Sequence, residues 1–179
     1  MNIYQIKISL EHIKPRIWRC VQVAGDTKLG KLHDIVQAAM GWDDCHLHEF
    51  IIGHDHYGTP DADVPQDLKS EHRITLEKIL NQGDKFIYEY DFGDGWRHTL
   101  KIEKVLPAEK DQRYPRCLAG ECACPPEDCG GIPGYMRMLE ILNNPSDEEY
   151  AEMLEWAGEG FDPEAFDLDA INQTLWRLR

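Results

Sequence analysis

Four cysteines, Cys117, Cys122, Cys124 and Cys129, fall within thirteen consecutive positions of a segment rich in proline and glycine, Tyr114 to Gly131. Such a segment breaks regular structure, because proline removes a backbone donor and glycine is costly to order in helix or strand. The chain therefore reads as two parts. Ahead of the break, apolar residues mostly alternate as in strands. After it they recur at helical spacing. Thiols this crowded have three readings: metal ligands, reduced structural thiols in a tight loop, or a redox or disulfide role.

Residues 3–10 and 16–23 read as two strands with Pro15 breaking the link between them, which makes a hairpin. Thr27 stands where an N-cap belongs, ahead of a helix from Lys28 to Met40. Leu29, Leu32, Ile35, Val36, Ala39 and Met40 form its apolar stripe, and Gly41 ends it. A strand from His46 to Ile52 follows, and residues 53–73, with Gly58, Pro60 and Pro65, read as a long surface loop. Ile74 to Leu80 is a short helix. Strands Lys85–Tyr90 and Thr99–Leu106 make a second hairpin with a wide tip over Asp91–His98. Beyond the cysteines, Tyr135–Leu142 is helical, Ser146 and Glu149 suggest a capping box for a second helix, and a last helix starts near Asp167 or Asp169.

The expected fold class is α+β: a mixed or antiparallel sheet of two hairpins crossed by one helix, then the cysteine-rich loop and C-terminal helices. The β-grasp arrangement of ubiquitin-like domains is one topology that fits. At 179 residues one domain is expected, with a sheet core over 1–110, the loop over 111–134 and an acidic helical part over 135–179. The N-terminus alternates like a strand and has no basic stretch followed by an apolar run. The expectation is a cytoplasmic protein with reduced thiols, not a secreted or membrane-spanning one.

A formal net charge of −14 argues against a protein that grips nucleic acid over a broad face. The charge is uneven: no Lys or Arg lies between Arg137 and Arg177, while eleven acids fall from Glu140 to Asp169. This is either a solvated helical surface or a docking face through which the C-terminal helices meet a basic protein partner.

With these pieces in place the chain resembles the plasmid pRiA4b ORF-3-like family. The motifs that carry the resemblance are Ile6–Leu10 with Pro15–Arg19, Leu29 to Trp42, His46-Leu-His-Glu-Phe50, Tyr90-Asp-Phe-Gly-Asp-Gly-Trp-Arg-His98 and Cys124-Pro-Pro-Glu-Asp-Cys-Gly-Gly131. The family is an uncharacterised prokaryotic domain, so the resemblance implies a fold and no reaction. Its occasional resolvase-like label does not transfer, because the chain has neither a nucleophilic serine among arginines nor a basic DNA-binding module.

Candidate sites come from three constellations. The cysteines are spaced C-x4-C-x-C-x4-C, off the usual C-x2–4-C knuckles of structural zinc; zinc held by Cys117, Cys122, Cys124 and Cys129 remains one reading. Neighbouring Glu121, Glu127 and Asp128 should raise their pKa values and disfavour a nucleophilic thiolate. His46-x-His48 and His54-x-His56 each put two imidazoles on one side of a strand, a workable metal geometry. Asp91, Asp94, Trp96 and His98 bring carboxylates, an aromatic and an imidazole to one hairpin tip, and Trp42 joins them if the two hairpins share a sheet. Each group also has a plain structural reading as core or turn.

No Walker, Rossmann, kinase or G-x-S-x-G pattern is present. The leading reading is a non-enzymatic binding domain whose ligand pocket combines Trp42, His46, His48, Asp91, Asp94, Trp96 and His98. The alternative is a metal-dependent enzyme that uses cysteine or histidine ligands with Asp91 or Asp94.

Overall fold

Alternation at the N-terminus produces β1 (Asn2–Leu10), which buries Tyr4, Ile6, Ile8 and Leu10 and leaves Gln5, Lys7 and Ser9 on the opposite face. The structure, a computed structural model, describes residues 1–59, 68–158 and 160–178. β1 pairs antiparallel with β2 (Trp18–Ala24) on one side and with β7 (Trp96–Pro107) on the other. β7 pairs with β6 (Lys85–Tyr90), so the two expected hairpins lie side by side at the centre of one sheet. β3 (His48–Ile52), β4 (Asp55–Gly58) and β5 (Lys69–Ser70) extend it beyond β6, and β8 (Arg116–Glu121) closes the far end beyond β2. The eight strands run β5-β4-β3-β6-β7-β1-β2-β8, a wider sheet than a β-grasp layout, with β4–β5 as its parallel pair.

One face carries the core. Phe86, Tyr88 and Tyr90 from β6 and Trp96, His98, Leu100 and Ile102 from β7 are buried on it. The other face is wet and charged: Arg97 meets Glu89 and Glu11, each at 3.3 Å. Along β6 and β7 this is the alternation of a sheet packed on one side, whereas β2 buries residues of both faces, Cys20 and Gln22 among them. Across the apolar face lies α1 (Leu29–Met40), whose six expected stripe residues are all buried. Each contributes about 1.5–3 kcal/mol for the larger side chains. At its end Gly41 takes a left-handed conformation and donates to the Gln37 carbonyl.

The N-cap differs from expectation. Thr27 makes no side-chain cap; the first-turn amide of Leu29 donates instead to the Ile74 carbonyl, and the Thr27 carbonyl accepts from Leu76. A neighbouring backbone segment has satisfied the orphan donor that a side chain would otherwise take. That segment leads into the short α2 (Leu76–Ile79).

Other expectations need correction. Of residues 53–73, read as one loop, 55–58 and 69–70 are strands and 71–73 a 3-10 turn, while residues 60–67, with Pro60 and Pro65, lie outside the described residues. Trp96, Arg97 and His98 are not at a hairpin tip: β7 begins at Trp96, because the turn closes tightly from Asp91 C=O to Gly95 N–H at 2.6 Å. The segment 111–134 is not all loop. Its middle is β8, and its last residues start α3 (Gly131–Leu142). α4 (Tyr150–Ala157) lacks the expected capping box; Ser146 and Glu149 instead give their backbone amides to Asn144 Oδ1 and Asp147 Oδ1 in successive turns. α5 (Leu168–Leu175) is capped as expected by Asp167, which accepts from Ala170 N–H at 2.9 Å.

α5 also guards the sheet. Asn172 accepts from Cys117 N–H at 2.8 Å and donates to Cys117 C=O at 3.0 Å, so its amide takes the place of a further strand on the exposed edge of β8.

The core wholly encloses the imidazole of His98. His98 is 0% exposed, and its Nδ1 faces the carbonyls of Trp96 and Tyr88 at 3.0 and 3.3 Å. Burial pulls it down to about 4 from the ordinary 6.5, against the weaker upward pull of those carbonyls. The unfolded chain then holds one more proton than the folded chain between these two values. The stability that neutral His98 confers is complete above pH 6.5 and is lost as pH falls toward 4, about 3 kcal/mol in all. Urea unfolding of His98→Phe should therefore fall less steeply from pH 7 to pH 4 than that of the wild type. Equal slopes would refute this assignment.

Candidate functional site

Three loops meet at the Tyr90 end of β6: residues 42–47 after α1, the turn 91–95, and residues 124–131 ahead of α3. Tyr90 is the pin. Its hydroxyl donates to Glu127 Oε1 at 2.7 Å and accepts from Cys45 N–H at 2.9 Å. Glu127 also accepts from Asp43 N–H at 3.1 Å, and Trp42 Nε1 donates to Pro125 C=O at 2.9 Å. Burial, then the Glu127 carboxylate, raises the Tyr90 phenol well above its usual range. It therefore stays protonated as the donor this latch needs.

The third loop joins through Asp94, whose Oδ2 accepts from Gly130 N–H at 3.1 Å. Gly131, with φ of +66°, passes so close that a Cβ there would stand 2.5 Å from the Asp94 carbonyl oxygen. Left-handed backbone and contact with another main chain both demand glycine at this point. Gly131→Ala should cost about 2 kcal/mol or more in chemical denaturation. A loss below 0.5 kcal/mol on that order-of-magnitude scale would mean the loops are not locked as described.

The latch brings His46, Asp91 and Asp128 together, with one donor atom from each lying within 4.8 Å of the others. Asp91, at φ of 56°, turns its Oδ1 back to the amides of Gly93 and Asp94 at 3.0 and 3.3 Å. Its Oδ2 is left to face His46 Nε2 at 3.7 Å. Asp128 Oδ1 lies 3.1 Å from the same nitrogen. That contact has ion-pair distance without hydrogen-bond alignment, and the buried His46 Nε2 has no hydrogen-bond partner among the described residues. A nitrogen and two carboxylate oxygens converge without bonding one another, a donor set suited to zinc, iron or manganese.

A second cluster lies beside it, in a cleft of about 290 Å³ bordered by His33, Asp44, His46, His48 and Glu71. Here the hydrogen bonds are closed. Gln37 Nε2 donates to Tyr88 Oη at 2.8 Å, and Tyr88 Oη lies 2.8 Å from His33 Nδ1. His33 Nε2 lies 2.8 Å from Asp44 Oδ1, and Asp44 N–H returns to Gln37 Oε1 at 3.1 Å. Running the protons round this cycle puts the His33 proton on Nε2, with Tyr88 donating to Nδ1. Burial, then neighbouring His48, holds His33 below its ordinary value, consistent with a neutral ring.

His48 stacks on His33, with ring centroids 3.5 Å apart and planes 6° from parallel, and turns its Nε2 to Glu71 at 2.9 Å. Burial pushes the Glu71 carboxyl up, but His48 and the Thr59 hydroxyl outweigh it and leave it below its usual value.

His33, Asp44 and His48 also offer donor atoms within 4.8 Å of one another. Their geometry opposes a shared ion. A ring nitrogen's lone pair lies in the ring plane, and an ion about 2.1 Å from both nitrogens cannot lie in two parallel planes 3.5 Å apart. The cluster is better matched to holding α1 against the sheet. Tyr88→Phe, which leaves Gln37 and His33 each short of a buried partner, should cost about 1–3 kcal/mol in urea unfolding. An unchanged midpoint would contradict the cycle.

The structure sorts the residues expected from sequence. His46 and Asp91 share the open donor set, and His48 lies in the neighbouring cleft. Asp94 is a latch. Trp42, Trp96 and His98 do come together, with Trp42 centroids 6.0 Å from Trp96 and 5.3 Å from His98, but all three are buried core. A ligand reaching them would have to displace packing. His54 and His56 are exposed, and His56 pairs with Glu49 at 2.7 Å.

All six cysteines are free thiols, and no three of their sulfurs come within 4.8 Å of one another. Cys117 and Cys122 are buried, and Cys124 and Cys129 pack against the same core. Burial, ahead of the nearby acids, pushes Cys129 up to about 12 and raises the other three as well. Missed from sequence were His33, Gln37, Tyr88 and Glu71, and the ligand role open to Asp128. Polar His33 and Gln37, four apart on the apolar side of α1, were the available sign of a buried network.

An eight-stranded sheet covered on one face, with three loops locked over the end of β6, defines an α+β domain with a loop-borne site. The chain belongs to the plasmid pRiA4b ORF-3-like protein family, which matches residues 2–170. It is 37% identical over 177 residues to the uncharacterized protein y4hQ of Sinorhizobium fredii, covering 97% of this chain and 91% of that protein. It is also similar to the crystal structure of MM3350, a protein of unknown function from Methanosarcina mazei Go1. There the TM-score is 0.89 and the identity 38%, with 94% of this chain and 96% of that one covered. No helix among the described residues is long and apolar enough to cross a membrane.

Proposed function

We propose that this protein is a divalent-metal-binding domain whose ion is held by His46, Asp91 and Asp128. The observation that supports the reading is the His46 Nε2 atom, buried and without a hydrogen bond between two carboxylate oxygens at 3.1 and 3.7 Å. An imidazole nitrogen so placed gains a partner once a cation sits among the three. Asp91 is preorganised for this, since its turn occupies one carboxylate oxygen and presents the other. Asp128 is largely exposed, so the ion faces solvent on that side. Three protein donors leave at least one position of a tetrahedral ion open, the pattern of sites that act on or take up a ligand rather than of closed structural sites. The four cysteines, as thiols of raised pKa, are the poorer ligand set.

Calorimetric titration of EDTA-treated protein with zinc and with manganese chloride tests this. About one ion per chain is expected, with His46→Ala and Asp128→Asn each weakening affinity at least tenfold while circular dichroism stays unchanged. Absence of saturable binding by either ion at millimolar concentration, or wild-type affinity in both variants, would overturn the proposal.

A further inference from the structure

α4 is a helix with no buried residue. It rests on α3 through half-buried Met153, while Trp156 is 48% and Leu154 36% exposed. An isolated two-turn helix is marginal in water and needs packing on its apolar face, which this one has only in part. Of seven large hydrophobic side chains exposed among the described residues, three (Met136, Leu154 and Trp156) are on the α3–α4 pair. Between the two helices runs a groove of about 480 Å³ whose apolar lining is Met138, Ile141, Met153 and Trp156 and whose acidic lining includes Glu149 and Glu152.

Charge decides the occupant. Arg137, the cation that lines the groove, is engaged by Glu149 at 3.1 Å, Asp147 at 3.7 Å and Glu140 at 3.8 Å. No Lys or Arg occurs from 138 to 176, against eleven acids. A second copy of a chain with net charge −14 would bring its own acids to this rim. We infer that the α3–α4 groove docks a basic amphipathic helix of a protein partner. Its apolar face lies along Met153 and Trp156, and its Lys or Arg residues reach the acids above. Anchor side chains at helical spacing filling a groove are a recurrent mode of such recognition, and charge complementarity sets the sign of the partner. Asp128 borders both this groove and the metal site, but the inference rests on Met153, Trp156, Glu149 and Glu152, none of them a ligand in the proposed metal site.

The test is fluorescence anisotropy at 0.15 M salt with two labelled amphipathic helices of one apolar pattern, a leucine–lysine peptide and its leucine–glutamate counterpart. The lysine peptide should bind with a Kd of tens of micromolar or tighter and blue-shift tryptophan emission, and the glutamate peptide should not bind. Trp156→Ala should weaken binding at least tenfold and Glu152→Lys at least fivefold. Both positions are exposed, so each variant keeps its fold, and either one alone decides the question. Three results would each overturn the proposal: no binding of the lysine peptide, affinity unchanged in both variants, which would mean attraction to the overall charge alone, or a dimer in sedimentation equilibrium that Trp156→Ala abolishes.

Discussion

Two phenol hydroxyls, two residues apart on β6, hold together the end of the sheet that carries the candidate site. Tyr88 and Tyr90 point the same way because strand side chains alternate, and both bury their rings in the core. Their oxygens then serve different partners. Tyr88 ties α1 to the sheet through Gln37 and His33, while Tyr90 ties the loop after α1 to the loop before α3 through Cys45 and Glu127. Apolar burial supplies the bulk of the energy, and the hydroxyls set where the surrounding segments stop. Together with the Trp42–Pro125 and Asp43–Glu127 hydrogen bonds, the Tyr90 hydroxyl fixes the separation of the loops carrying His46 and Asp128.

The parts of the fold that local pattern governs could be read in advance. The hairpins, the stripe of α1 and the Asp167 cap depend on neighbours within a few positions, and all are present. What escaped depends on distant chain. β8 is hidden by Cys, Ala and Gly, which have weak strand preference, and it exists because β2 offers an open edge and Asn172 closes the other side. The Ser146–Glu149 pattern lost to Asn144 and Asp147, whose short side chains reach the same amides first. Two of the three residues of the candidate site were legible, since His46 and Asp91 stood in conspicuous motifs. Asp128 was seen only as a neighbour of thiols. That it meets His46, eighty-two positions earlier, follows from the Tyr90 latch, which no periodicity reports.

The cysteine segment, the loudest feature of the sequence, resolves into packing around an arginine. Arg19 is buried on β2 and donates to the carbonyls of Ala39, Trp18 and Glu121, with Phe166 against its guanidinium. It joins α1 to two strands through oxygen atoms that each had a lone pair to spare. The thiols of Cys117, Cys122 and Cys124 lie near it and set small, weakly polar atoms against the core.

The amide of Asn172 has a meaning beyond the packing of α5. By matching both the donor and the acceptor of Cys117 it stands in, at that one residue, for the neighbour the last strand lacks. Trimming of the C-terminus ahead of that residue would strip the mask from the end of an eight-stranded sheet. At Cys117, α5 thus occupies the place where a strand of a second copy could add to the sheet, a consequence for association between molecules rather than for folding.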